Sequence, residues 1–303
     1  MGRLAQTLGV GDPPVAHTLF AYLNIRNPFV AWEVAIGRVR SVTDATHESF
    51  GLSAWAYSLL RKYAKAGADR RFVNELLLES ARQLNHADSC SRLADLYLFE
   101  NEYDAHAALE RWNLTGMREY ISPVQFSARK LSKHDSEWIT AYLSSEEQDW
   151  IPRYWRGETL GAKPLTEVLA CGIGAVMNRQ LRHAAYQSIL ERWPSSTPLL
   201  SMACCAFAEY GLEDIALLRP AILESEGTIR GSHFIDMRDL DLHQDKVMKA
   251  LTACKARGEA PPMIVPDDGV NFFRLPDFSS MNFVLQYAPA AEKLRSMRHG
   301  ADA

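Results

Sequence analysis

The chain has 303 residues, 47% hydrophobic and 23% charged, enough apolar content for one large core or two modest ones and too much for general disorder. Its formal charge of −4 excludes a broad basic field for gripping nucleic acid, and pairs such as Arg61-Lys62 and Arg70-Arg71 read as exposed helix faces. Five cysteines without a Cys-x-x-Cys spacing indicate buried thiols in a reducing compartment, with neither a disulfide framework nor a zinc site.

The start of the chain, with Gly11, Asp12, Pro13 and Pro14, does not read as a signal peptide, and Gln6 breaks the myristoylation pattern. No run approaches the ~20 apolar residues of a membrane span. A cytoplasmic protein is expected, or one delivered to a target cell by a specialised secretion system.

Residues 30 to 86 are expected to be mainly helical, with Phe72, Val73, Leu76, Leu77 and Leu84 on one side of the last helix and Glu75, Glu79 and Arg82 on the other. A polar turn at Asp88 leads into a short strand ending near Phe99, and a helix runs from about Tyr103 to Trp112. Val124, Phe126 and Ala128 at period two predict a second strand. Asp135 or Ser136 then caps a short helix bearing Trp138 and Tyr142, and Ser144 with Glu147 reads as a capping box for a helix with the stripe Trp150, Ile151, Tyr154 and Trp155.

The breaks at Gly157, Gly161 and Pro164 precede an apolar run from Leu165 to Met177 that reads as a strand. Leu165, Glu167 and Leu169 share one face while Thr166, Val168 and Ala170 share the other, so both faces are expected to be buried. A carboxylate between two leucines needs a partner or a task, and Glu167 is expected to face a cleft. Beyond residue 180 the sequence reads as helix-rich, including Leu199 to Tyr210 and Lys246 to Lys255. A proline-rich arm over 258–278 is expected to pack back through Phe272, Phe273 and Phe278, and the last residues are expected to fray. The expected division is a module over 1–180 and a helical accessory region over 181–303.

Taken in order, His17 in Val-Ala-His-Thr-Leu-Phe, Glu75 and Glu79 on a helix, Ser91-Arg92-Leu93 opening a strand, Ala108 through Trp112, Tyr154-Trp155-Arg156-Gly157, and Pro164 through Leu169 form an ordered set. This set resembles ADP-ribosyltransferase-fold proteins, most closely an uncharacterised bacterial family of small domains with that fold, over roughly residues 70 to 177. Cys90 stands where such domains usually have proline.

The resemblance implies an α+β, ADP-ribosyltransferase-like mixed module with a helix-rich C-terminal extension. It also implies an NAD-dependent mono-ADP-ribosyltransferase, in the manner of a toxin or effector, that releases nicotinamide and modifies a macromolecular acceptor. A protein acceptor is favoured over nucleic acid because the chain is acidic. Glu167 would stabilise the oxocarbenium-like state, and Ser91 would hold the carboxylate or ribose in register. Arg92 would grip the pyrophosphate, Tyr154 or Trp155 would wall the nicotinamide pocket, and His17 would bind the adenosine ribose. No metal is implied.

Each residue has an ordinary alternative. Ser91 can end a turn, Arg92 can pair with Asp88 or Asp95, and His17 can be structural. Tyr154 and Trp155 can be core stripe. Two competing readings of the whole are a catalytically inactive transferase fold that binds a partner, and a helical-repeat scaffold suggested by Leu93 to Ala105 and Ala206 to Ala216. The scaffold reading lacks copies at the ~34-residue period that stacking requires.

Overall fold

The computed structural model describes residues 15–42 and 50–300, so the readings made for Gly11 to Pro14 and for the last three residues fall outside it. In chain order the elements are β1 (Val15–Tyr22), α1 (Pro28–Ile36), β2 (Arg38–Arg40), β3 (Phe50–Gly51), α2 (Ala54–Ala66), α3 (Asp69–Asn85), β4 (Leu96–Leu98) and α4 (Glu102–Arg111). Then follow β5 (Ile121–Asp135), α5 (Glu137–Tyr142), α6 (Trp150–Trp155), β6 (Thr166–Val176), α7 (Arg179–Arg192), α8 (Thr197–Tyr210), β7 (Leu217–Ser225), β8 (Thr228–Asp236), α9 (Arg238–Leu242), α10 (Gln244–Ala256), β9 (Phe283–Gln286) and α11 (Ala288–Gly300).

The architecture is α+β, with two antiparallel sheets among the described residues. In the first, β1, β5, β6 and β2 lie side by side and β4 pairs with the other end of β6. The second has the order β3-β7-β8-β9. Its three longer strands come from sequence expected to be helix-rich: Leu217 to Ser225 and Thr228 to Asp236 form a hairpin. Glu226 and Gly227, both at positive φ, close it as a two-residue turn suited to the strand twist. The helical reading of 30–86 is likewise interrupted by β2 and β3.

The long β5–β6 pair explains the glycines in Cys171-Gly-Ile-Gly174. The register slips between Ala128 and Lys130, and Gly172 sits opposite this bulge at φ +149°, where an added Cβ would lie 2.1 Å from the Ser127 carbonyl oxygen. Only a glycine meets both demands.

Helix α1 begins at Pro28 with the Asn27 side chain accepting from the Phe29 N–H at 2.9 Å, and it ends at Gly37, φ +99°. Every one of its residues is buried, which makes it an internal helix with no solvent face. It packs on α7, α8 and β7, and the Trp32 indole donates to the Ala216 carbonyl at 2.9 Å. Arg38, fully buried, donates to Glu33 at 2.6 Å and to the carbonyls of Glu213 and Ile215 at 2.7 and 2.9 Å. Helix α11 packs on α3. One hydrophobic core therefore runs from Leu19 to Met297 across residue 180. The proline-rich arm folds back on it, with Phe278 buried, Phe273 partly so and Phe272 exposed.

Candidate functional site

Glu167 lies on β6, as its flanking pattern predicts, directly opposite His134 of β5. The residue is 5% exposed and its side chain is enclosed by protein where an open cleft was expected, which corrects that expectation. Oε1 accepts from Arg92 at 2.8 Å and from the Tyr154 hydroxyl at 2.7 Å. Arg92, 3% exposed, uses its remaining fork on Glu75 of α3 at 3.1 and 3.2 Å and also donates to the Tyr154 hydroxyl at 3.1 Å. The faces of Tyr97 and Tyr154 lie over its guanidinium at 5.0 and 5.6 Å. The Arg92 side chain thus belongs to a buried network and pairs with neither Asp88 nor Asp95.

Ser91 joins the same region through a different carboxylate. Its hydroxyl donates to Glu79 at 2.7 Å and accepts from the N–H groups of Leu93 and Ala94 at 3.1 Å, while Asp95 accepts from the Ser91 N–H at 2.7 Å. The serine closes a turn and holds Glu79, and Glu167 is held by Arg92 and Tyr154. Glu79 also pairs with Arg82 at 2.7 Å.

Tyr154 and Trp155 both come from α6, where Asp149 and not Ser144 occupies the cap position; Ser145 accepts from the Glu147 N–H, so the expected capping box does not form. Both rings are buried, and the Trp155 indole donates to the Leu78 carbonyl at 2.9 Å. They are core residues, Tyr154 with its hydroxyl in the network.

His134 lies in the far half of β5, beyond the Val124, Phe126 and Ala128 alternation that marks the strand, so nothing in the sequence singles it out. It stacks on Tyr154 with ring centroids 4.7 Å apart and meets Trp155 edge-on at 5.0 Å. Its ring nitrogens sit 3.0 Å from the Tyr154 carbonyl and from the Ser132 hydroxyl. Burial lowers its pKa to about 4, so the ring is neutral at physiological pH. Burial also raises Glu167 and Asp95 above the usual carboxylate range, against the opposing pull of Arg92 on the first. Ser136 occupies the cap position of α5 without a side-chain cap bond; Asp135 before it accepts from the Glu137 N–H at 3.1 Å and from those of Leu160 and Leu165 at 2.9 and 3.0 Å, which pins the loop entering β6.

His17 does not join this group. It lies on β1 opposite Phe126, and Phe126 faces Gly174, so seven residues of β6, about 23 Å of strand, separate it from Glu167. Among the described residues no cluster of His, Cys, Asp and Glu has the makings of a metal site, and no helix is long and apolar enough to cross a membrane. The Leu93 to Tyr97 segment is turn and strand where a helical repeat needs helix.

Arg92, Tyr154 and Glu167, drawn from the β4 turn, α6 and β6, thus meet in one closed network with Glu75, and Ser91 and Trp155 border it. Chemically it can hold charge and protons out of water and lock α3, β4, α6 and β6 together. Comparison with protein-family models, with curated proteins and with solved structures finds no match for this chain.

Proposed function

We propose that this chain is a binding module on an ADP-ribosyltransferase-like framework, in which the Glu75–Arg92–Glu167–Tyr154 network maintains shape and does not turn over NAD. The observation that carries this reading is the enclosure of Glu167. A carboxylate that stabilises a developing positive charge on a ribose must reach that ribose, and this one belongs to a residue 5% exposed, with Arg92 and Tyr154 on the same oxygen. The arginine already neutralises the charge that catalysis would use.

The test is nicotinamide release from NAD by the whole protein, measured beside its denaturation midpoint. A structural network predicts no release above the uncatalysed rate and a strong loss of stability in Glu167→Gln. Release that falls by ~100-fold or more in Glu167→Gln, with the midpoint unchanged, would overturn it.

That second outcome belongs to the competing reading, an NAD-dependent mono-ADP-ribosyltransferase acting on a protein acceptor. What favours it is convergence: Ser91, Arg92, Tyr154, Trp155 and Glu167 gather around one end of β6 although they come from separate segments. Under that reading Arg92 must leave Glu167 when NAD binds, and the pyrophosphate is the anion that would draw it away.

A further inference from the structure

A cavity of about 510 Å³ opens among α1, α7, α8 and α10, on residues to which neither reading of the buried network assigns a task. Arg179, Arg182, His183 and Tyr186 line it from α7 at positions i, i+3, i+4 and i+7, so one helix face supplies the wall. Ala35, Cys204 and Cys205 make an apolar floor. The thiols of Cys204 and Cys205 are pushed far up by burial and remain protonated, so the floor carries no charge.

The cations of this wall differ in how well they are neutralised. Arg257, at the end of α10, is paired with Glu209 and Glu259. Arg179 and Arg182 form no ion pair among the described residues. Among the described residues Arg182 reaches only the Ile36 carbonyl, at 3.3 Å, and its Nε is buried without a partner there. Its guanidinium lies against Gly37, where an added Cβ would sit 2.5 Å from Cζ; the glycine at φ +99° that ends α1 is what lets the arginine rest there. A chain of net charge −4 thus places two arginines without an ion pair among the described residues one turn apart on α7, at an apolar-floored cavity whose carboxylate, Glu259, is taken by Arg257.

We infer that this cavity binds a small organic phosphate: a dianionic phosphate monoester on Arg179 and Arg182, with a flat apolar body over the Ala35–Cys204–Cys205 floor. Two guanidinium groups that carry no ion pair among the described residues match a dianion, guanidinium forks suit phosphate oxygens, and the volume suits a mononucleotide-sized ligand. The inference stands apart from the fate of Glu167, since no residue of that network lines the cavity.

The test is titration calorimetry of the whole protein with adenosine 5′-monophosphate, adenosine and inorganic phosphate at two salt concentrations. Saturable binding of the monophosphate, tighter than either fragment and weakened by salt, is the expected result. Arg182→Met and Arg179→Gln should each weaken it at least tenfold. Arg179 is exposed, so its replacement leaves folding intact and keeps the test valid if Arg182→Met is destabilised. Glu167→Gln should leave this binding unchanged in any sample that remains folded. No binding at millimolar monophosphate, binding insensitive to Arg179→Gln, or phosphate alone binding as tightly as the monophosphate would each overturn the assignment.

Discussion

Arg92 stands between two carboxylates that have no other guanidinium of their own among the described residues, so single replacements in this network are costly. Arg92→Met leaves Glu75 and Glu167 buried with an unpaired charge and should lower stability by about 3–5 kcal/mol, read from denaturant midpoints. His134 carries an opposite, pH-dependent signature. Its pKa near 4 when folded, against about 6.5 when unfolded, means that the unfolded chain binds the extra proton between those values. Its contribution is complete above pH 6.5 and lost as pH falls toward 4, about 3 kcal/mol in all. Glu167 and Asp95, raised by burial, act the other way: the folded protein holds their protons longer, so they favour folding less as pH rises through the usual carboxylate range. Replacing His134 by Gln should remove the acid-side loss between pH 6.5 and 4 and leave the carboxylates' slope, which a pH series of urea midpoints can read. If variant and wild type lose stability in parallel over that window, the histidine is not the group responsible.

At the scale of elements, what the sequence made legible was periodic and local. The run around Glu167 reads as a two-faced buried strand because apolar residues occupy both parities, and β6 has that burial. The helix expected from about Tyr103 to Trp112 forms over Glu102–Arg111, with Asn101 as its cap. The β7–β8 hairpin lies in sequence expected to be helix-rich: Pro220 and Gly231, residue types that usually interrupt regular elements, lie within its paired strands and mask the strand pattern. Burial of Glu167 was legible from its leucine neighbours, but its enclosure was not: Arg92 lies 75 residues away and Tyr154 on another element. The glycines of β6 yield a sharp prediction. Gly172→Ala drives a Cβ into the Ser127 carbonyl at a φ that alanine rarely adopts, so it should destabilise by more than 1 kcal/mol and register as a lowered melting temperature. Gly211→Ala shares the positive φ but has open space around it, and should cost less.

The whole molecule is joined by elements that ignore the midpoint of the chain. Two strands and two helices from residues 28–66 contact partners beyond residue 176: β2 and α1 through Arg38 and Trp32, β3 through β7, and α2 through β9. A fragment of residues 1–182 would expose α1, which has no polar face, and would strand Arg38 and Glu33 without the 213–218 backbone. It should lack dispersed amide resonances and a cooperative melt; a well-dispersed spectrum from that fragment would show that the first sheet folds without the second half. The α+β class that the resemblance implies is the class observed, but the second sheet was not legible, because β3 is two residues long and pairs with a strand more than 160 residues further on.

The internal position of α1 also sets a clock on synthesis. Trp32 leaves the ribosome 184 residues before the Ala216 carbonyl that its indole binds. At about 5–20 residues per second, this apolar helix waits roughly 10–40 s for its cover. Non-local closure of this kind is slow even in a finished chain. For that interval the nascent protein presents Phe29, Trp32 and Ile36 as an open ligand for chaperones or for a neighbouring copy on the same message. Expression rate and temperature should therefore govern its yield more strongly than its final stability does.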